Sequence, residues 1–428
     1  MSAITLTVYC FFCILTLSVY RRISHPVVIF NLIWTVLIAV SMMSLIDLPV
    51  PPASSFEVFL KGGVVFNIFS LILYFINRFI SNKTRTDSLK TVLTNKTKQK
   101  IVLALNIVIL VYYLFKLIRI SGLLGDFGNY IAIRSFYYST DNFASSLEYN
   151  IVTFIFDPII YLNAVIFALN TKKKQYHTYT LFIIFTNMIL RTVISGGRMI
   201  MFEFAVCLFV AQLTHTKEEK NRKLDKKAKY TRLFILVALA CLFMIASYIT
   251  ELRGGNGNSL AGNGISTFIS NFTGSFSYFS VLNSYGKYYK PLYGRAMFAG
   301  LIDPIIMLLH FLKLTDVDIA QNALGSILSE FYLLGNHSYN AMPTMYYFFI
   351  SDFREAGIVI GSVVLSAYCF VIERLKHYYN NYKFNALYLL MVLTIIESPM
   401  TWLPFKTSFV IANILVLLFA SNNKIKKN

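Results

Sequence analysis

Long apolar blocks, each set off from the next by a short polar or basic segment, run through this chain and leave few folds open to it. Blocks of about 17 to 25 residues are long enough to cross roughly 30 Å of hydrocarbon as helices. Only backbone that satisfies its own hydrogen bonds survives there. About eleven such spans can be read, by that length criterion, at residues 3–20, 27–46, 58–79, 101–120, 150–170, 178–195, 198–214, 232–250, 357–374, 384–402 and 405–421. At 56% hydrophobic and 16% aromatic, the 428 residues carry more apolar surface than a soluble fold of this length usually does. The expected fold is all-α, a polytopic integral membrane protein.

Lysine and arginine fix the expected orientation. They collect at Arg21–Arg22, at 81–100, at Lys172–Lys174, at 215–232, from Arg374 to Lys383 and in the tail at 424–427. Each cluster follows an odd-numbered span, so all lie on one side, the cytoplasm by the positive-inside rule. The amino terminus is expected outside and the carboxyl terminus inside. The net charge of +19 sits mostly in these loops. Insertion accounts for it, and no nucleic-acid partner is expected. The first span lacks a basic segment before it and has two arginines after it, so it reads as an uncleaved anchor. Cys10, Cys13, Cys207, Cys241 and Cys369 all fall in apolar spans and read as packing residues.

This topology divides the chain into residues 1–250, with eight spans and an outer loop at 121–149, a large outer loop at 251–356, and residues 357–428 with three spans and a cytoplasmic tail. The large loop opens with ELRGGNGNSLAGNG, residues 251–264, a composition expected to form a mobile loop without a regular element. Residues 302–314 and 319–334 read as interfacial or re-entrant helices. The sequence shows no internal repeat, which weighs against a transporter.

Charges inside spans are costly and tend to mark cavities or partners. Nearly all of Lys116, Arg119, Asp157, Arg191, Arg198, Glu203 and Glu397 fall in the expected outer half of the bilayer. They point to a polar cavity opening outward. Lys116 and Arg119 read as snorkelling to an interface. Arg198 stands in ISGGRMIMFEF, residues 194–204, where Gly196 and Gly197 allow close approach and a helix start adds partial positive charge. That corner suits an anion. Arg134, Arg191 and Arg253 are expected on the same face, and several guanidinium forks together neutralise a diphosphate without a metal. Asp316 and Asp318 have a spacing seen in metal-dependent sugar transferases, but no metal or cofactor is expected. Residues 335–357 interleave aromatics with polar groups, as a sugar site does. Tyr339, Asn340 and Thr344 are its candidate sugar contacts, and Asp352 and His337, with Glu251, its candidate bases.

The many-span layout, Arg134 after the fourth span, the SGGR turn at Arg198, Arg253 with Gly264 eleven residues on, and YFFISDFREAG at 347–357 together resemble the Wzy-type oligosaccharide repeat unit polymerases. In that family the last stretch has Asp-Phe-Gly followed closely by a second glycine. Here Asp352 and Phe353 match, Arg354 replaces the first glycine, and Gly357 stands for the second. The resemblance implies a GT-C-like fold and a glycosyltransferase in the bacterial inner membrane. Such an enzyme extends O-antigen or capsular polysaccharide on the outer face. Its implied partners are an undecaprenyl-diphosphate-linked glycan donor, a lipid-linked repeat-unit acceptor, the bilayer and a chain-length regulator. On this expectation Arg198, Arg253, Arg134 and Arg191 hold the diphosphate while Asp352, His337 or Glu251 serves the acceptor hydroxyl. A ligase that moves the finished glycan to another acceptor is the nearer alternative, and a flippase or transporter the more remote one.

Overall fold

Because the apolar runs leave the backbone no partner but itself, they fold as helices, and a computed structural model describes them at residues 1–44, 48–80, 96–124, 145–170, 176–195, 197, 199–213, 260–286, 288, 290–335, 337–339, 342–379 and 381–419. In chain order these are α1 (Ser2–Tyr20), α2 (Pro26–Met42), α3 (Ala53–Ile80), α4 (Lys96–Leu124) and α5 (Ser146–Ile151). A π-helical turn, Val152–Phe156, joins α5 to α6 (Asp157–Asn170), and α7 (Thr178–Ser195) and α8 (Met199–Leu213) follow. Then come α9 (Leu260–Ser284), α10 (Ala299–Phe311), α11 (Ala320–Leu328), the hairpin β1 (Tyr332–Leu334) and β2 (His337–Tyr339), α12 (Met345–Phe353), α13 (Glu355–Tyr379), α14 (Tyr382–Glu397) and α15 (Thr407–Phe419).

Among the described residues, six helical segments are long and apolar enough to cross a membrane: Ser2–Tyr20, Ala53–Arg78, Thr97–Ile120, Ser146–Asn170, Thr178–Ser195 and Glu355–Tyr379. The expected span at 232–250 lies outside the described residues. Several outward faces are oily, which suits a hydrocarbon solvent and not water. Phe11 and Ile14 on α1, Phe115 and Ile118 on α4 and Phe182 on α7 are all more than half exposed. The fold is that of a helical, multi-pass membrane protein.

The chain divides into two units. The first comprises Met1–Leu89, Phe268–Tyr378 and Met391–Ile411. Its core is aromatic. Trp34 stacks on Phe276 at 5.3 Å, meets Tyr346 edge-on at 5.3 Å, and donates its indole N–H to Ser398 Oγ at 2.9 Å. Gly62 lets α3 approach this core closely, since a Cβ there would lie 2.2 Å from the Tyr346 ring. Asn31 and Asn67 exchange amide hydrogen bonds at 2.7 and 2.8 Å between α2 and α3.

Two expectations for residues 251–356 change here. Residues 251–259 lie outside the described residues, but α9 already begins at Leu260 and includes the glycines and asparagine expected to break it. Phe272, Phe276, Phe279 and Leu282 of this helix are buried, and that burial outweighs the roughly 1 kcal/mol each glycine costs a helix. So α9 packs on aromatics of α2 and α3. The segment expected as one helix at 319–334 forms α11 and then the antiparallel hairpin, with Tyr332 opposite Tyr339.

The second unit comprises Lys90–Thr267, Tyr379–Leu390 and Ala412–Asn428. Helix α6 is its centre, buried without a break from Pro158 to Ile166. It packs on α7 and α8, and α4 packs on α7. Tyr382 anchors the start of α14 here by donating its hydroxyl to the Ile166 carbonyl at 3.1 Å.

Candidate functional site

Inside the second unit, a set of polar side chains threads an otherwise apolar bundle. Asn106 of α4 and Asn163 of α6 exchange amide bonds at 3.1 and 2.8 Å, and Asn187 of α7 donates to Asn106 Oδ1 at 3.0 Å. One turn further along α7, Arg191 gives Nε to Asp157 Oδ1 at 2.9 Å and Nη2 to Asp157 Oδ2 at 3.1 Å. Asp157 stands at the first position of α6, directly after the π-helical turn, a distortion often found at functional sites. One turn beyond Asp157, Tyr161 donates to Glu203 Oε1 of α8 at 3.2 Å.

Lys116 contradicts the snorkelling expectation. It is 2% exposed, and its ammonium meets Glu148 Oε1 at 2.6 Å while Tyr112 donates to the same oxygen at 2.8 Å. The clasp joins α4 to α5. Arg191 also differs from what the sequence suggested: two of its donors form a bidentate pair with Asp157, which presets the direction of its guanidinium. Asp157 stands 34 residues from Arg191, so the sequence marked both as buried charges without pairing them. Gly197 donates its N–H to Ser195 Oγ at 3.1 Å just before α8 begins. Arg198, Arg134, Arg253, Glu251 and Asn340 lie outside the described residues.

The remaining candidates belong to the first unit. Asp352 is fully buried at the end of α12, and its two carboxylate oxygens accept the backbone N–H groups of Ala296 at 2.8 Å and Met297 at 2.7 Å. The neighbouring strands of chain are tied as well, Leu292 N–H to the Ser351 carbonyl and Tyr293 N–H to the Asp352 carbonyl, both at 3.1 Å. Burial pushes the Asp352 carboxyl up from its usual range, and the N–H groups and Arg295 pull it part of the way back. Asp352 thus acts as a clamp on the turn before α10, where a free base was expected. Tyr339 is likewise engaged: its hydroxyl donates to the Asn271 carbonyl at 2.9 Å and lies 2.9 Å from Ser275 Oγ, and its ring covers Gly274. Thr344 is fully buried at the start of α12. Tyr339 is half-buried. His337 lies in β2, and its side chain is outside the described residues.

The DFREAG stretch has two positions with glycine-like demands. A Cβ at Gly357 would lie 1.8 Å from the Phe349 carbonyl oxygen, so only glycine fits. Arg354 ends α12 with φ 53° and ψ −137°, a conformation that favours glycine. Sequence reasoning noted the replaced glycine at 354 but had no means to see that the backbone keeps the glycine-type conformation. A cavity of about 220 Å³ also opens in this unit, lined among others by Pro49, Pro52, Ser277, Ser280 and Tyr285, none of them a candidate residue named above.

Among the described residues no group of three or more histidine, cysteine, aspartate or glutamate side chains could hold a metal ion. Compared with protein-family models, with curated proteins and with solved structures, the chain matches none.

Proposed function

We propose that this protein is a membrane glycosyltransferase that polymerises undecaprenyl-diphosphate-linked repeat units into O-antigen or capsular polysaccharide on the outer face of the bacterial inner membrane. On this proposal the chain crosses the bilayer about eleven times, with its amino terminus outside. The acceptor hydroxyl oxygen bonds the anomeric carbon of the donor glycan as the carbon–oxygen bond to the diphosphate breaks. A base takes the hydroxyl proton, and undecaprenyl diphosphate leaves.

The observation that carries the proposal is Arg191. It is a nearly buried guanidinium, fixed by Asp157 and seven residues before Arg198 in the sequence. A preset cation in a low-dielectric interior stabilises charge growing on a leaving group at no reorganisation cost. Arg198, Arg253 and Arg134 would contact the diphosphate, and Arg191 would add its fixed charge to theirs. Because both Asp352 oxygens hold backbone N–H groups, the base is assigned to His337 or Glu251.

Deleting the gene in its native bacterium and resolving the surface glycan on a gel tests the proposal. Polymerase loss collapses the glycan to single repeat units. An unchanged ladder of long chains would refute it, and intact polymer that accumulates on its lipid carrier would indicate a ligase instead.

A further inference from the structure

Five described non-glycine residues have positive φ: Arg21, Ser44, Tyr293, Lys313 and Arg354. Arg21 is unremarkable, because at φ 53° and ψ 26° it ends α1 in the ordinary left-handed basin. Arg354 shares that φ but has ψ −137°, outside the basin and in the region glycine takes at the first central position of a type II′ turn. A side chain there is strained, and such strain persists at ligand sites where the side chain is needed.

The strain at 354 is not isolated. Tyr293, at φ 52°, is bonded through its N–H to the Asp352 carbonyl, two residues before Arg354. Its ring is 76% exposed and stands edge-on to Phe353 at 6.3 Å. The Arg354 guanidinium lies 5.6 Å from the centre of the Tyr288 ring, which stacks on Tyr347 at 5.5 Å. Burial pushes the Tyr288 phenol up and the arginine pulls it part of the way back, so the ring faces the cation as a neutral phenol at physiological pH. The guanidinium on the Tyr288 face and the exposed Tyr293 ring against Phe353, the residue before Arg354, are the parts for a sugar carrying an anionic group: a ring to stack on and a planar fork for two oxygens.

We infer that Arg354 and Tyr293 form a binding site for an anionic group carried next to a sugar ring, and that the arginine is kept in a glycine conformation for that purpose. The inference rests on the glycan polymerase proposal for its substrate class. Within that class the anion has two sources, the diphosphate of the lipid-linked donor or the carboxylate of an acidic sugar.

The test compares the purified parent protein in lipid nanodiscs with Arg354→Gly and Tyr293→Asn. Glycine relieves the strain and asparagine tolerates positive φ, so both variants should fold. Arg354→Gly should melt above the parent. Thermal shifts with inorganic diphosphate and with glucuronic acid separate the two sources: one of the two should stabilise the parent, and the variants should need about tenfold more of it, the value of one charge-assisted hydrogen bond. If neither compound shifts the parent, or if the variants respond as the parent does, the inference is wrong. These shifts require no turnover, so they stand apart from any failure to polymerise.

Discussion

Buried acids are answered in two different ways in the two units. Among the described residues of the second unit each meets a side chain: Asp157 meets Arg191, Glu148 meets Lys116 and Tyr112, and Glu203 meets Tyr161. In the first unit Glu373 pairs with Arg22 at 3.8 Å, but the two most deeply held aspartates meet the backbone. Asp352 accepts from Ala296 and Met297, and Asp303 accepts from Ala320 at 3.1 Å and Gln321 at 2.8 Å. The difference matters for function. A carboxylate clamped by main-chain N–H groups holds a fold together and has little freedom to accept a proton from a substrate. A carboxylate paired with a guanidinium can orient that cation toward an arriving anion.

The largest test of this contrast is Asp157→Ala. Removing the acid of this part-buried pair takes the partner from two Arg191 donors and should cost about 3 kcal/mol in denaturation of the purified protein, while Asp157→Leu combined with Arg191→Leu should recover most of it. If the single variant loses less than the double, the pair is not what holds α6 to α7.

Asp352→Ala comes next. Two hydrogen bonds to a charged acceptor disappear, and the loss should be about 3 kcal/mol. Any fall in polymerisation should follow the folded fraction. A folded, stable Asp352 variant with no activity would make Asp352 a base after all.

Gly357→Ala probes the first unit's backbone directly. A methyl group 1.8 Å from the Phe349 carbonyl forces α12 and α13 to shift, an overpacking cost of about 1–3 kcal/mol. The smallest effect is expected at the amide pairs. Asn67→Leu should cost about 0.6 kcal/mol, the average for such bonds inside membranes. Asn163→Leu should cost more, because Asn163 belongs to a three-membered cluster that includes Asn187.

The helices were legible in the sequence because their signal is local. Pro26 marks the start of α2, and there His25 caps the helix by accepting the Val27 N–H at 3.4 Å. Burial, with Arg22 and Lys376 nearby, lowers the pKa of His25 to about 3, so the ring stays neutral and able to accept. What a local reading missed was set by distant partners. Helix α9 looks like a loop start from its glycines, and only Trp34 and Phe59 show why it forms. Asp352 looks like a base until Ala296 and Met297, more than fifty residues earlier, take its oxygens. The partners of the Tyr339 hydroxyl, Asn271 and Ser275, likewise lie more than sixty residues earlier in the chain. Lys116, Asp157, Arg191 and Glu203 were visible as exceptions in apolar runs, but Glu148 fell in the expected outer loop at 121–149, and which acid met which cation was not visible.

The most direct measurement is polymerisation of lipid-linked repeat units by the purified protein, compared with Arg191→Leu/Asp157→Leu, in which both charges are removed and the packing is kept. The parent should build long chains, and the folded double variant should lose about a hundredfold or more in rate, as expected when a preset electrostatic group is removed. Equal rates would contradict the claim that the guanidinium of α7 serves the reaction.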